Sequence, residues 1–130
     1  METFSHETFE PWYVTGLIDA AGTFTFSRSG RQLNLYFGFK GSPAFLEILR
    51  SFFRNAGKIY GLSTDAAYYR ITRNADLVAT VLPHFDVYPL VRKREAYAIW
   101  REMVVLKQSF RRPDRDSLDR LAQRLSSVRI

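Results

Sequence analysis

The sequence predicts an α+β domain in which helices cover one face of a single four-stranded antiparallel sheet. This prediction depends on two pairs of segments that alternate between polar and apolar residues, and on helical patterns before, between and after those pairs. The chain has 130 residues, 46% of them hydrophobic, which is enough for one domain with a buried core.

The first predicted elements are a helix and a hairpin. The helix covers 11–21, because Pro11 suits a first helical turn and Gly22 is a natural stop. The segments 23–29 and 32–40 then alternate around a turn at Gly30, which predicts two antiparallel strands with one apolar and one polar face. The apolar face consists of Phe24, Phe26, Leu33, Leu35, Phe37 and Phe39.

A second helix and a second hairpin repeat this arrangement. The helix is predicted from Pro43, capped by Ser42, to about Ala56. The segments 58–64 and 67–73 form the second hairpin around a turn at Thr64-Asp65-Ala66. We place Lys58, Tyr60 and Leu62 on the outward face of one strand and Tyr68, Arg70 and Thr72 on the outward face of the other.

Three further helices are predicted after the sheet. The first runs from an N-cap at Asn74 to Pro83 or Phe85, a turn follows at 86–89, and the second helix covers 92–107. A polar stretch at 111–114 leads to an amphipathic helix over 116–127. We expect Trp12 and Trp100 in the core, His84 in a structural role, and the tail arginines, including Arg129, in solvent.

We divide the chain into an N-terminal extension (1–10), a main domain (11–107) and a basic C-terminal helical tail (108–130). The absence of cysteine and the presence of only two histidines exclude disulfides, thiol catalysis and a histidine-rich metal cage. No apolar run has the length of a membrane span, and the first ten residues lack the basic start and apolar centre of a secretory signal. We therefore expect an intracellular protein without a membrane partner.

The charge pattern indicates a polyanionic partner. The net charge is +6, and the strand regions without their intervening helix hold six Lys or Arg residues and one Asp, a net of +5. Polar and cationic strand faces fit the DNA major groove, where Arg and Lys bind phosphates and guanine, Gln and Asn suit adenine, and Thr methyls suit thymine. The candidate DNA-binding residues are Thr23, Thr25, Ser27, Arg28, Arg31, Gln32, Asn34, Tyr36, Lys40, Lys58, Tyr60, Tyr68, Arg70 and Thr72. An ordinary solvated sheet face is the alternative.

Residues 14–22, Val-Thr-Gly-Leu-Ile-Asp-Ala-Ala-Gly, resemble the LAGLIDADG motif of the homing endonucleases, with seven of nine positions identical or conservatively replaced. The segments 37–42, 57–60 and 83–94 resemble the end of the second strand, the start of the third strand and a late conserved segment of that family. The resemblance covers about residues 11–107. It implies an αββαββα homing-endonuclease-like fold, here with extra C-terminal helices.

The resemblance also implies an oligomeric state. Single-motif members of this family are homodimers in which two motif helices cross at a two-fold axis and the two sheets form a DNA-binding saddle. Gly16 and Ala20 lie on one helix face, where small side chains let a second helix approach closely. The implied dimer interface comprises Thr15, Gly16, Asp19 and Ala20, and the implied target is a roughly palindromic duplex.

The catalytic positions depart from the family pattern. The family cleaves DNA with a divalent metal held by the last acid of each motif helix, and Ala21 stands at that position. A polar residue that organises water near the metal corresponds to Gly41, whereas the cation near the scissile phosphate is retained as Arg92 or Lys93. We expect no intact catalytic set and no metal site or cofactor, with Mg²⁺ needed only if cleavage activity survives.

We interpret the chain as a homodimer that binds double-stranded DNA sequence-specifically and is deficient in cleavage. One alternative is an active or deliberately inactivated homing endonuclease that makes Mg²⁺-dependent double-strand cuts. Others are an RNA-binding helper of intron splicing and a small module whose sheet face binds protein. A heterodimer with a catalytically complete sister chain also stays open.

Overall fold

The protein forms a four-stranded antiparallel sheet with the strand order β1-β2-β4-β3, and helices pack against one of its faces. The computed structural model describes residues 8–110 and 114–128. The predicted polar stretch at Arg111 and Arg112 and the tail residue Arg129 lie outside the described residues. The α+β class and the αββαββα order with additional C-terminal helices are confirmed.

The first helix and hairpin follow the predicted boundaries closely. Helix α1 spans Pro11–Ala21, and the Glu10 carboxylate caps it by accepting a 2.7 Å hydrogen bond from the N–H of Trp12. Strands β1 (Thr23–Ser29) and β2 (Gln32–Gly41) pair around a turn in which Gly30 has a φ of +60°. The predicted apolar face lies against the helices, with all of its residues buried except the half-buried Phe26.

The second helix and hairpin are shorter than predicted. Helix α2 spans Pro43–Phe52, with the Ser42 hydroxyl accepting from the N–H of Phe45 at 3.4 Å. It ends before Ala56 because Arg54 and Asn55 adopt left-handed φ angles of 58° and 61°, which no α-helix accommodates. Strands β3 (Lys58–Gly61) and β4 (Ala67–Ile71) follow, so Leu62 and Thr72 lie just outside them.

The predicted helix from Asn74 contains an irregular turn. It consists of α3 (Asn74–Asp76), a π-helical turn (Leu77–Val81) and α4 (Leu82–Val87). Pro83 explains the interruption, since a proline cannot donate to the carbonyl four residues earlier and its ring clashes with that carbonyl in a regular α-helix. The wider π turn before Pro83 relieves this conflict.

Two local predictions in this segment are wrong. Asn74 is not the N-cap, because its side-chain amide donates to the Val104 carbonyl (3.1 Å) and to Gln108 Oε1 (3.2 Å). Asp86 lies inside α4 and not in a turn, where its carboxylate accepts two hydrogen bonds from Arg101 at 2.7 and 2.8 Å. In both cases the side chain has a partner on the following helix that the local sequence does not reveal.

Helices α5 (Arg94–Ser109) and α6 (Arg115–Ser127) complete the core. Trp100 is fully buried, as predicted, and its Nε1 donates to the Thr25 carbonyl at 3.0 Å, which attaches α5 to β1. Helix α6 buries Leu118, Leu121, Ala122 and Leu125 in the same core. None of the helices in the described part of the chain is long and apolar enough to cross a bilayer.

Trp12 was expected in the core, and this prediction is wrong. Its side chain is 56% exposed, and its ring packs edge-on against Tyr88 at 5.1 Å. The reason is the helical period: Val14 and Ile18 occupy the buried side of α1, whereas Trp12 shares the exposed side with Gly16 and Ala20.

Candidate nucleic-acid interface and the motif helix

The outward face of the sheet brings most of the predicted DNA-binding residues together. Strand pairing aligns their side chains in rows across the sheet, because residues opposite each other in an antiparallel ladder point to the same face. The rows are Thr23, Gly38, Arg70 and Lys58; Lys40, Tyr68 and Tyr60; Thr25 and Tyr36; Ser27 and Asn34; and Ser29 and Gln32.

This face is cationic and carries hydrogen-bonding groups. Among the outward positions of the four described strands, Lys40, Lys58 and Arg70 are cationic and none is acidic. A solvated sheet face normally mixes both signs of charge, so this composition favours an anionic ligand. Arg31 lies exposed in the β1–β2 turn at one end of the face, and Thr72 lies exposed just after β4.

Arg70 lies at the centre of the face and is held by aromatic rings. Its Cζ atom is 4.1 Å from the ring centroid of Tyr36 and 5.4 Å from that of Tyr68. Its Nε is buried and has no hydrogen-bond partner among the described residues. Burial raises the pKa of the Tyr68 hydroxyl, which therefore stays protonated beside the guanidinium. Arg70 is thus oriented in advance while it retains donors for a ligand.

Gly38 makes room for Tyr68, a role that sequence analysis did not identify. A Cβ at position 38 would overlap the Tyr68 hydroxyl, so the ring crosses β2 only because the residue there is glycine. Glycine in the middle of a strand commonly marks a close approach of this kind, and that was the available signal.

Arg28 is the predicted DNA-binding residue that the structure places elsewhere. It shares the helix side of β1 with Phe24 and Phe26, and its Nη1 contacts the Asp119 carboxylate on α6 at 3.2 Å. The alternation along β1 therefore points Arg28 away from the outward face.

Two of the four predicted interface residues on α1 have partners within the chain. The Thr15 side chain is buried, its hydroxyl donates to the Tyr88 carbonyl at 2.9 Å, and it lies 3.0 Å from His84 Nε2. Gly16 and Ala20, in contrast, are exposed, and nothing lies within 4 Å of a Cβ built at Gly16. The small stripe on α1 is therefore open, whereas Thr15 holds α1 against the α4 segment.

Asp19 organises the loop before α5. Its carboxylate accepts hydrogen bonds from the backbone N–H groups of Val91, Arg92 and Lys93 at 3.0–3.1 Å. Burial by itself raises the pKa of Asp19, but these three bonds and the charge of Arg92 hold it below its ordinary value. The carboxylate is therefore ionised, and its oxygens already accept hydrogen bonds from the loop before α5.

His84 has the predicted structural role. Its ring stacks on Tyr88 and packs edge-on against Phe52 and Phe85, with centroid distances of 5.3, 5.2 and 4.6 Å. Burial lowers the pKa of His84 to about 4, so the ring is neutral near pH 7.

Positions 21 and 41 carry no side-chain oxygen. Ala21 is exposed with a methyl side chain, and a Cβ at Gly41 would point toward Leu46 at 3.4 Å. Lys93 is half-buried and lines a cleft of about 310 Å³ with Gly22 and Thr23. Within residues 8–110 and 114–128, no group of three or more His, Cys, Asp or Glu side chains converges to hold a metal.

Comparisons with known proteins show that this chain is similar to endonucleases. The family model described as LAGLIDADG endonuclease matches residues 14–104. An uncharacterized 50.9 kDa protein in ND4 intron 1 of Podospora anserina is 30% identical over 119 residues, covering 80% of this chain and 26% of its own length.

Solved structures share the fold. The meganuclease I-SmaMI bound to uncleaveable DNA superposes with a TM-score of 0.83 at 25% identity, over 95% of this chain and 45% of that one. The LAGLIDADG meganuclease I-AabMI bound to uncleaved DNA gives 0.81 at 25% identity, over 94% and 46%. The chain thus spans about a quarter of the curated relative and under half of these solved chains.

Proposed function

The chain belongs to the LAGLIDADG endonuclease family, and on this premise we propose that it binds double-stranded DNA through the outward face of its sheet. The observation that carries the proposal is the set of aligned rows, in which Arg70, Lys58 and Lys40 stand among polar side chains without an acid. The phosphate backbone supplies most of the affinity in such an interface. The related structures I-SmaMI and I-AabMI are themselves bound to DNA.

Base recognition comes from the longer polar side chains of the face. A β-ribbon fits the major groove, where arginine donates two hydrogen bonds to guanine and glutamine or asparagine pairs with adenine. Gln32 and Asn34 extend from β2, and Arg70 extends from β4. These residues are the sources of sequence specificity in the proposal.

A second copy of the chain joins through the exposed side of α1. Trp12 is 56% exposed and Val91 is 75% exposed beside the open Gly16 and Ala20 stripe, so this side offers apolar surface and space for close helix packing. A two-fold arrangement of this kind presents two copies of the sheet face to two inverted half-sites. The proposed target is accordingly a roughly palindromic duplex.

In the proposed function, the protein recognises DNA without cutting it. A divalent metal at the end of α1 needs carboxylate donors, and the side chains of Ala21 and Gly41 offer no oxygen. The nearby Asp19 carboxylate is occupied by the loop before α5. The retained cation, Arg92 or Lys93, contributes to phosphate binding alone.

Selection of bound duplexes from a random library tests the proposal. We expect recovery of two inverted half-sites, sedimentation of the complex as two chains on one duplex, and intact DNA after incubation with Mg²⁺. The Ala21→Asp/Gly41→Gln variant serves as the comparison for cleavage. Cuts made by the unaltered chain would disprove the cleavage deficiency, one chain per site would disprove the dimer, and a preference for structured RNA over every duplex would disprove DNA recognition.

A further inference from the structure

A basic cleft lies beside the outward face, between the edge strand β3 and the π-helical turn after β4. It has a volume of about 510 Å³ and is lined by the α2–β3 turn on one side and by Arg73, Ala79 and Thr80 on the other. We propose that this cleft binds phosphodiester groups of the duplex that lies on the sheet. The proposal rests on the DNA binding proposed above and adds Arg54, Asn55 and Arg73 to the interface.

The charge of the cleft favours an anion. Four cationic side chains line it, and Asp76 is the one acid among the described residues that do so. Asp76 pairs only weakly with Arg73, since the N–O distance is 3.9 Å and the Arg73 side chain is 78% exposed. The cationic lining consists of Arg54, Lys58, Arg70 and Arg73.

The turn that forms the rim is firmly attached to the sheet. The Tyr69 hydroxyl donates to the Ala56 carbonyl at 2.6 Å, and Arg50 Nε donates to the Gly57 carbonyl at 3.3 Å. Gly57 has a φ of +80° and lies so close to the backbone of Arg70 that a Cβ there would overlap the Arg70 carbonyl. The rim therefore keeps a constant position relative to Arg70 at the centre of the sheet.

Arg54 occupies this rim in an unfavourable backbone conformation. Its φ of 58° is in the left-handed region, which asparagine tolerates at the next position but which is costly for a long side chain such as arginine. Glycine would remove the strain and would also end the helix. Strained backbone conformations are concentrated at binding sites. The strain at Arg54, at the edge of a cationic cleft, is therefore consistent with a binding role for its side chain.

The cleft is continuous with the sheet face. Lys58, Tyr60 and Arg70 belong both to the outward rows and to the cleft lining. A duplex that places its bases over Arg70 and the β2 residues has its backbone at the β3 edge, where the cleft opens. Free phosphate cannot contact the cleft and the sheet face at the same time. We therefore expect the cleft to bind phosphate groups only when they belong to an extended polyanion.

The test compares the Arg54→Gly/Arg73→Ala variant with a control of equal charge, Arg115→Ala/Arg124→Ala, whose two arginines are exposed on α6. Binding to the selected site and to an unrelated duplex is measured by fluorescence anisotropy between 50 and 200 mM salt. We expect the cleft variant to bind both duplexes roughly tenfold more weakly at low salt. The slope of log K against log salt should fall by about 2 in magnitude, and the control should match the parent.

A stability measurement separates this effect from misfolding. Because glycine relieves the left-handed strain at residue 54, the unfolding temperature of Arg54→Gly should rise by roughly 4 °C while DNA binding falls. If the slope of log K against log salt is unchanged in the cleft variant, the proposal is wrong. It is also wrong if binding weakens only to the selected duplex, because that result indicates contacts with bases. If Arg70→Ala weakens DNA binding and the cleft variant does not, the cleft proposal is wrong and DNA binding by the sheet face stands. If the unaltered chain binds no duplex, both proposals are wrong.

Discussion

The outward sheet face and the C-terminal end of α1 belong to the same domain, but they present different chemical groups. On the sheet face, polar and cationic side chains such as Arg70 and Lys58 point toward solvent. On α1, Thr15 and Asp19 are hydrogen-bonded within the chain, and Ala21 at the C-terminal end has no polar side chain. The hydrogen bonds that hold the motif helix therefore do not involve the side chain of residue 21, where the family resemblance implies a metal ligand. A chain without a carboxylate at this position can therefore have the same architecture and the same polar sheet face.

The largest effect is expected from Asp19→Asn, which tests whether the motif helix has a structural function. The amide carries no charge and presents one oxygen to the three backbone donors, so we expect about 3 kcal/mol less stability in urea unfolding. Because the folded pKa of Asp19 lies below that of the unfolded chain, its contribution is complete well above pH 4 and is lost as pH falls through the folded pKa.

The matched control is Asp65→Asn in the exposed β3–β4 loop. It should leave stability nearly unchanged, because Asp65 is exposed. Equal losses in the two variants would show that the loop before α5 does not depend on Asp19.

The next effect is expected at Arg70, the centre of the sheet face. Replacing Arg70 by alanine should weaken binding to the selected duplex by about 2 kcal/mol, roughly 30-fold, and relax the preference at one base pair of each half-site. The control is Arg28→Ala, which removes the same charge from the helix side of the same sheet. A greater loss of DNA binding from Arg28→Ala would reverse the assignment of faces.

A smaller effect is expected at Gly38, whose missing side chain accommodates Tyr68. The Gly38→Ala methyl must displace the Tyr68 ring, which we expect to cost about 1 kcal/mol of stability and to loosen Arg70. The Tyr68→Val replacement removes the overlap, so a double-mutant cycle should show a coupling of about 1 kcal/mol. Additive stability changes would mean that the two residues do not touch.

The smallest effect is expected from Ala21→Asp at the end of α1. A carboxylate at a helix C-terminus opposes the helix dipole, so this change should reduce stability by about 0.5 kcal/mol at low salt. The uncharged Ala21→Asn variant should show less of this loss. A gain in stability would instead reveal attraction to a cation such as Lys93.

Much of the architecture could be predicted because it depends on local periodicity. Alternation at every second residue identified both faces of β1 and β2, and it assigned Tyr68, Arg70, Lys58 and Tyr60 to one surface before their register was known. The positions of Gly16 and Ala20 on one side of α1 follow in the same way from the helical repeat. The expectation that Trp12 lies in the core did not use this repeat, which places Trp12 on the same side of α1 as Gly16 and Ala20.

The chain's residue order determines the elements, the polar strand face and the lack of a carboxylate at position 21, because each is a property of neighbouring residues or of one residue's chemistry. Tertiary contacts alone decide which polar groups stay available. Asp19 and Thr15 bind groups about 70 positions away, and Arg28 pairs with Asp119 on α6, which is 91 positions away. The cleft of Arg54 and Arg73 likewise arises only when a strained turn packs on β4. Distances between residues far apart in sequence depend on packing, and packing is not encoded in any local period.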